Sequence, residues 1–497
     1  MAPSALQPLR LLTTLLVLLT IVAKTSSLFN KMFKSSTPSG MSGKLVTLDK
    51  AADLDWAALK DRVLSTPRGM FLAEQAALRE GGGGLPHTDA KVRLFGAKEG
   101  TKPRVVLYRD TAAWCPYCQK VWIMLEEKRI PYRVEKINMR SYGDKPPEYL
   151  RLVPNGLLPA VEIDGRFQTE SIDIMLNLDR KFHPSSGHDG PALWPTKDSP
   201  EAARAVALMR LERELFGVWC NLVFRPSIGD GANSRFEACL GEVDRELGVT
   251  SSPWFLDELS IVDLQYITHI ERMLASCAYW SGLKVRHTKW KNLDRWLEAF
   301  ELRPSYMASK SDFYTNCMDI PPQYGPGFGT GSKQQKDFAA AIDGSDGSWS
   351  LPLKPFDARS DLESVGPAID PGDYGARCEA AFKLVMNHEN IAKFSLRAVG
   401  KAGAKQFSAP LADPYAVPDL SLYDDLDRLL KAIVATLIEE GDAAPRALAS
   451  CPEGAGSALA KSLAYMRDRV GVPRDMGYPA ARQLRAHINF VIDTCLA

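Results

Sequence analysis

The feature that most constrains the fold is the sequence Cys115-Pro-Tyr-Cys118, which lies between an apolar run at 105–108 and a helical pattern at 119–128. A strand that delivers a cysteine to a helix start places the sulfur beside free N–H groups and the positive end of the helix dipole. In comparable sites the thiol pKa falls from ~8.5 to as low as ~3.5. We therefore expect Cys115 to be the nucleophile and Cys118, one helical turn later, to be a candidate resolving partner.

The same two cysteines could instead form half of a zinc site. A structural zinc site needs a second pair of ligands, and the remaining cysteines are isolated from one another in the sequence. The sequence therefore predicts a redox site that holds no metal.

Length and charge set the broad class of protein. A chain of 497 residues is too long for one core, so we expect several domains. A net charge of +1 gives no basic field to attract nucleic acid, which we exclude as a partner. Nine scattered cysteines are also unlike the dense, even framework of a small secreted scaffold.

The N-terminal region has the composition of a targeting segment. Arg10 precedes an apolar run at 11–23, which is shorter than the ~20 residues that span a bilayer. No acidic residue occurs before Asp49, and the intervening tract is rich in Ser, Thr and Lys. We predict a signal-peptide-like leader at 1–27 and a transit-like and linker region with short helices at 28–100. The pattern resembles the two-part leader of algae with complex plastids. The plastid is thus the expected compartment, with a membrane anchor, the endoplasmic reticulum or secretion as alternatives.

A β-α-β-α-β-β-α pattern follows over residues 101–185. The strands are predicted at 105–108, 132–137, 160–163 and 166–169, and the helices at 119–128, 148–152 and 172–182. Asp164-Gly165 is a two-residue hairpin signal. Pro159 can begin a strand because no ladder donor is needed there. The fold class of this part is therefore α/β, with a thioredoxin-like topology.

With Cys115 in this motif, Pro159 before the third strand and Glu170-Ser171 at a helix start, residues 103–185 resemble the N-terminal domain of glutathione transferases. The cysteine resembles that of the cysteine-type classes, such as omega and lambda, and of dithiol glutaredoxins. The resemblance implies glutathione as the co-substrate.

The resemblance assigns roles to four residues at the glutathione end. Pro159 would be the cis-proline, and the backbone of Leu158 would pair with the cysteinyl unit. Ser171 would hold the γ-glutamyl carboxylate at a helix N-terminus. Glu170 would bind the γ-glutamyl ammonium group by a charge-assisted hydrogen bond.

Two further roles come from the resemblance. Lys145 would reach the glycyl end of glutathione, with a solvated loop lysine as the alternative reading. Tyr117 would be the aromatic residue beside the nucleophile. Cys118 departs from the many cysteine-type transferases that keep a single cysteine here, so monothiol and dithiol chemistry both stay open.

A helical pattern occupies residues 200–310. Helices are predicted at 201–219 and 235–247, and Ser260 with Asp263 forms a capping box. This combination resembles the all-helical C-terminal domain of glutathione transferases, so the resemblance covers residues 103–310.

The second-substrate site of this family lies between its two domains. Trp219, Phe224 and Arg225 are candidates to line it, with ordinary packing of a helix face as the alternative. His269 and Trp280 are interpreted as core residues.

The rest of the chain has no catalytic pattern. Many Gly and Pro residues predict a linker at 311–350. Residues 351–497 predict an α-helical domain of unknown role, with helices at 376–398, after a Ser421-x-x-Asp424 cap, and at 480–495. We interpret the run at 472–479 as a structured turn.

The expected function is that of a glutathione-dependent thiol transferase or reductase. Cys115 would form a mixed disulfide with glutathione, and the substrate would be a small-molecule or protein disulfide, dehydroascorbate or a glutathionyl-quinone. A non-catalytic redox-sensing or ligand-binding module is the alternative from another class. A membrane-associated enzyme similar to the prostaglandin E synthase family is a second alternative. A homodimer stays open.

Overall fold

The computed structural model describes residues 55–97, 100–225, 231–357, 361–365, 372–405, 407, 409, 411–439 and 455–496. The predicted leader at 1–27 and the residues up to 54 lie outside this part. Within the described ranges, no helix is long and apolar enough to cross a membrane.

One mixed sheet organises the first half of the molecule, with strand order β1-β3-β2-β4-β5. The strands are β1 (Val92–Arg93), β2 (Val105–Asp110), β3 (Tyr132–Ile137), β4 (Ala160–Ile163) and β5 (Arg166–Gln168). β2 pairs in parallel with β3 and antiparallel with β4, and the two edge strands are antiparallel to their neighbours. Val105 and Leu107 are fully buried in the central strand. The thioredoxin-like topology is confirmed, and the short edge strand β1 was not predicted.

Helices make up most of the remaining described structure. In chain order they are α1 (Trp56–Leu64), α2 (Pro67–Glu80), α3 (Pro116–Glu127), α4 (Pro147–Leu152), α5 (Ser171–Lys181), α6 (Pro200–Val223), α7 (Gly231–Leu247), α8 (Ile261–Ser276), α9 (Lys291–Glu301), α10 (Pro304–Met307), α11 (Phe313–Tyr324), α12 (Lys333–Asp343), α13 (Gly372–Ser395), α14 (Tyr423–Leu437), α15 (Gly456–Arg469) and α16 (Tyr478–Leu496).

The capping box of α8 forms as predicted. The side chains of Ser260 and Asp263 exchange hydrogen bonds with each other's backbone N–H groups. Asp263 is fully buried, and its Oδ1 accepts a hydrogen bond from Trp296 Nε1 at 2.9 Å. Burial raises the pKa of Asp263, although these hydrogen bonds oppose the shift. The box thus fixes the start of α8 inside the core rather than at the surface.

The prediction of a linker at 311–350 is wrong. This stretch contains α11 and α12, and Phe313, Cys317 and Ile320 of α11 are buried in the same core as the sheet. Asp312 begins α11 by accepting a hydrogen bond from the Thr315 N–H at 2.9 Å. The two prolines of α11 lie in its last turns, where the loss of backbone donors is offset by the apolar face that the helix buries.

The C-terminal helices are not a domain apart from the N-terminal segment. Leu59 and Val63 of α1 are fully buried in a core shared with α13 to α16. Trp56 Nε1 also donates a hydrogen bond to Asp427 Oδ1 of α14 at 2.8 Å. The helices expected near residues 52–79 do form, but the described part of 28–100 is not a linker because its apolar face packs against the end of the chain.

Candidate active site

The start of α3 presents Cys115 to the site. Cys115 is the residue immediately before the helix, is 8% exposed, and makes no capping hydrogen bond through its side chain. Pro116 follows it at the first helical position, where its missing N–H costs nothing. The donors of the first helical turn and the helix dipole therefore favour a bound anion at this end.

Cys118 lies one turn into α3 and is 1% exposed. The two sulfur atoms lie within 4.8 Å of each other. Burial raises the pKa of the Cys118 thiol well above its usual value, and the neighbouring Cys115 and Asp110 add to the shift. Cys118 is therefore protonated at neutral pH, and the two cysteines are chemically unequal.

Asp110 completes a group of three side chains that could contact a metal. Its carboxylate and the sulfurs of Cys115 and Cys118 all lie within 4.8 Å of one another. Asp110 Oδ2 already accepts a hydrogen bond from the Trp114 N–H at 2.6 Å. A structural zinc site takes four protein ligands, and no fourth His, Cys, Asp or Glu joins this group among the described residues.

The loop before β4 flanks the nucleophile on one side. The peptide bond between Leu158 and Pro159 is cis. The Leu158 carbonyl oxygen lies 4.0 Å from Cys115 Sγ. The main chain of Leu158 thus borders the sulfur, at the position that the sequence resemblance implies for pairing with a cysteinyl unit.

Glu170 and Ser171 form the start of α5. Glu170 is exposed and adopts φ +63° and ψ 104°, a conformation that a non-glycine residue rarely takes. Ser171 is the first helical residue and is 9% exposed. Strained backbone of this kind clusters at ligand sites, since the surrounding structure must hold it in place.

Lys145 lies on the loop after β3. Its ammonium group donates a hydrogen bond to the Asn138 carbonyl, and its methylene carbons lie next to Gly156. Burial lowers the pKa of Lys145, and the sulfurs of Cys118 and Cys115 oppose this shift. Lys145 therefore lies within electrostatic range of the two sulfur atoms, and its ammonium group is hydrogen-bonded to the main chain.

Tyr117 contacts the helical half of the molecule. Its ring centroid lies 5.3 Å from that of His269, and the Lys120 Nζ lies 5.0 Å from the ring centre. Arg213 and Tyr324 both lower the pKa of its hydroxyl, so their polar groups lie close to it. Burial raises the pKa of Tyr117, so the phenol stays protonated at neutral pH.

A buried polar network lies behind these residues. Lys120 Nζ donates to Gln265 Oε1 at 2.6 Å, and Gln265 Nε2 donates to Glu212 Oε2 at 3.0 Å. His269 Nδ1 lies 2.7 Å from Glu212 Oε1. Such a network joins α3, α6 and α8 through buried hydrogen bonds, although His269 Nε2 has no partner in it.

The charges of this network follow from its burial. Burial lowers the pKa of Lys120 to about 8 and that of His269 to about 4. Burial alone would raise the pKa of Glu212, but hydrogen bonds and charges from His269 and Arg213 lower it to about 2. At neutral pH, Glu212 is therefore an anion that accepts a hydrogen bond from a neutral His269. The sequence signal for this network was Lys120, which interrupts the apolar pattern of α3. It was not recognised from the sequence.

Aromatic side chains border the opposite side of Cys115. Tyr324 of α11 packs edge-on against Trp114 and Trp219, with ring centroids 6.4 and 5.6 Å away, and stacks on Phe224 at 5.8 Å. Trp219 is fully buried, whereas Arg225 is exposed. The predicted lining residues Trp219 and Phe224 pack with Tyr324, whose hydroxyl lies within electrostatic range of Cys115. Tyr324 was missed because its segment was interpreted as a linker.

A cavity of about 200 Å³ opens elsewhere, between the Tyr142 loop, α11 and the C-terminal helices. Its polar groups include Asp319, whose pKa burial raises to about 6 although Tyr142 donates a hydrogen bond to it. No cysteine or histidine lines this cavity. The cavity therefore lacks the thiol that the sequence predicts at the site.

A thioredoxin-like sheet, a free cysteine at a helix start and a helical second half define a thiol protein of the thioredoxin fold class. The family model for the N-terminal domain of glutathione S-transferases matches residues 114–181. This range includes Cys115 and the start of α5.

Plant proteins are similar to this chain over less than half of its length. The protein IN2-1 homolog A of Oryza sativa subsp. japonica is 26% identical over 44% of this chain and 83% of the relative. The glutathione S-transferase DHAR2 of Arabidopsis thaliana is 28% identical over 35% of this chain and 74% of the relative. The glutathione S-transferase L1 of Arabidopsis thaliana is 29% identical over 40% of this chain and 79% of the relative. These matches support the glutathione transferase family for this part of the chain.

Proposed function

We propose that this protein is a cysteine-type glutathione transferase that acts as a glutathione-dependent thiol transferase or reductase. The observation that carries the proposal is the inequality of the two cysteines. Cys115 lies at the helix start beside the Leu158 carbonyl, whereas Cys118 is buried with a raised pKa. This arrangement suits attack by a single sulfur on a disulfide.

The reaction balances with glutathione alone. The Cys115 thiolate attacks the glutathione sulfur of a mixed disulfide, the S–S bond breaks, and the substrate thiolate leaves and takes a proton from solvent. A second glutathione thiolate then attacks the glutathionyl sulfur on Cys115. Glutathione disulfide leaves and the Cys115 thiolate is restored. The net reaction converts one mixed disulfide and one glutathione thiol into one substrate thiol and one glutathione disulfide.

The glutathionyl unit would bind on the side of Cys115 formed by the main chain. The Leu158 backbone would pair with its cysteinyl unit, and the start of α5 at Glu170 and Ser171 would bind its charged γ-glutamyl end. Lys145 would exchange its hydrogen bond to Asn138 for the glycyl carboxylate. The plant relatives named glutathione S-transferase DHAR2 and glutathione S-transferase L1 support a glutathione-dependent activity.

The proposal is tested by deglutathionylation of a glutathionylated peptide, coupled to glutathione reductase. We expect turnover in the native chain and a glutathione adduct of 305 Da on the Cys115 peptide, on the order of one per chain, when glutathione is withheld. Absence of both turnover and adduct would favour a non-catalytic binding module. An adduct on Cys118 alone would overturn the assignment of the nucleophile.

A further inference from the structure

Tyr324 lies at the end of α11 and occupies the space beside the reactive cysteine. Its ring meets four aromatic rings, at centroid distances of 5.6 Å to Trp219, 5.8 Å to Phe224, 6.1 Å to Phe216 and 6.4 Å to Trp114. Trp114 directly precedes Cys115 in the chain. The ring is thus held between the approach to the nucleophile and the last turns of α6.

The hydroxyl of Tyr324 lies close to that of Tyr117, two residues beyond Cys115, because each phenol perturbs the pKa of the other. The Arg213 guanidinium group also lowers the pKa of Tyr117 and so lies near its hydroxyl. Two phenols and one guanidinium group therefore give this side of Cys115 a polar edge in front of an aromatic wall.

The segment after Tyr324 fastens it in place. The Phe328 N–H donates to the Val223 carbonyl at 2.9 Å, and the Thr330 N–H donates to the Trp280 carbonyl at 2.9 Å. Gly327 between them lies so close to the Trp280 ring that an added Cβ would be 2.2 Å from it. Only glycine permits this approach, so the glycines that suggested a linker instead hold the chain against the helices.

We propose that Tyr324 is a specificity-determining residue, which fills the apolar space beside Cys115 with its own ring and so excludes acceptor substrates that carry bulky aromatic groups. The substrates that remain are small and polar, such as oxidised low-mass thiols or compact dicarbonyls. Their oxygen atoms can meet the hydroxyls of Tyr117 and Tyr324. The named substrate class rests on the proposed thiol-transfer function, whereas the exclusion itself concerns only access to Cys115.

Access can be measured without glutathione. We compare the rates at which N-ethylmaleimide and N-(1-pyrenyl)maleimide modify Cys115, since both reagents carry the same reactive group and differ in bulk. Mass spectrometry of the Cys115 peptide follows each reaction. The ratio of the two rates on free glutathione serves as the reference for an unhindered thiol.

In the native chain, we expect the ratio of the N-ethylmaleimide rate to the N-(1-pyrenyl)maleimide rate to exceed that reference by about tenfold or more. This is the scale of discrimination that a filled apolar pocket provides. Tyr324→Ala should remove most of this discrimination by leaving a space that aromatic rings surround. Tyr324→Phe should keep it, because the ring stays. Tyr314→Ala should also keep it, since Tyr314 is on the same helix but packs against Trp349.

A native ratio equal to that of free glutathione would overturn the proposal, as would an unchanged ratio in Tyr324→Ala. If Tyr324→Ala shows no cooperative melting transition, Tyr324→Leu takes its place and must show at least part of the same change. Failure of the proposed function appears differently, as Cys115 that reacts with N-ethylmaleimide in a chain without deglutathionylation turnover.

Discussion

The two sides of Cys115 are built from different parts of the chain. On the side where we propose that glutathione binds, the main-chain carbonyl of Leu158 borders Cys115, and the exposed Glu170 stands at the start of α5. On the opposite side, the contacts come from side chains, with Trp114 and Trp219 fully or almost fully buried. Main-chain contacts follow from the fold alone, whereas a wall of rings depends on the identity of each residue. The first side therefore suits a shared co-substrate, and the second suits selection among acceptors.

The largest expected effect concerns the sulfur atom of Cys115, which lies between the two sides. Replacing Cys115 by Ser should reduce thiol transfer to the uncatalysed rate, because the hydroxyl is not ionised and cannot form a disulfide. Replacing Cys118 by Ser should retain turnover within about threefold if a second glutathione resolves the intermediate. Coupled deglutathionylation assays of both variants measure this.

Loss of activity in both cysteine variants would assign Cys118 an obligatory resolving role. Full activity in Cys115→Ser would show that this sulfur is not the nucleophile. The comparison of the two sides of Cys115 would then have no bearing on the reaction.

The next effect tests whether water is excluded from the buried polar network that contains His269. Burial lowers the pKa of His269 to about 4 from an ordinary value of 6.5. Between those values the unfolded chain binds a proton that the folded chain does not, so the free energy of unfolding falls as pH drops through this window. We expect the native chain to lose about 2 to 3 kcal/mol relative to His269→Gln from pH 6.5 to pH 4.

Denaturant titrations of both chains at several pH values give that difference. The glutamine keeps a hydrogen-bond donor for Glu212 but does not titrate, so the acidic groups outside this network cancel. If the free energies of unfolding of the two chains change in parallel with pH, then His269 is solvated and water reaches the network.

On the glutathione side, we predict that Glu170→Ala and Ser171→Ala weaken glutathione binding while the fold is retained. Loss of one charge-assisted hydrogen bond costs on the order of 1.5 to 3 kcal/mol, or roughly tenfold to a hundredfold in affinity. Calorimetric titration with glutathione measures this, with Glu148→Ala on the exposed first turn of α4 as the control. Unchanged affinity in both variants would withdraw the roles assigned to this helix start.

The smallest effect sharpens the link between α11 and the site. Trp114 Nε1 donates a hydrogen bond to Asn316 Oδ1 at 2.9 Å, and both residues are buried. Asn316→Ala should lower the free energy of unfolding by about 1 to 2 kcal/mol, because the indole N–H is left without a partner. Thermal or denaturant melts detect the loss. Stability equal to that of the native chain would show that α11 does not anchor Trp114.

The sequence predicted the sheet and the positions of the cysteines well because local signals agreed there. Alternating apolar runs, the Asp164-Gly165 turn and the Pro159 strand start all favoured one topology. The capping box at Ser260 was equally local, since its two members are three residues apart and need no distant partner.

The part that could not be predicted depends on distant contacts or on competing local signals. Pro321 and Pro322 argued against a helix, yet Asp312 as a cap and the spacing of Phe313, Cys317 and Ile320 favoured one, and burial decided the outcome.

Local signals also misled at the start of α14. The predicted Ser421 cap is replaced by Asp419, whose side chain accepts a hydrogen bond from the Ser421 N–H at 3.0 Å in a preceding 3₁₀ turn, and α14 begins at Tyr423. Two overlapping cap signals cannot be ranked from sequence, because the choice depends on the packing of the helix that follows.

The packing of α1 against α14 has a consequence for how the protein is made. Trp56 and its partner Asp427 are 371 residues apart in the chain. A ribosome that adds ~5–20 residues per second separates their synthesis by roughly 20 to 70 s. During that interval the apolar face of α1, with Leu59 and Val63, has no native surface to cover it. The apolar face of α1 is therefore completed late in synthesis, by helices from the other end of the chain.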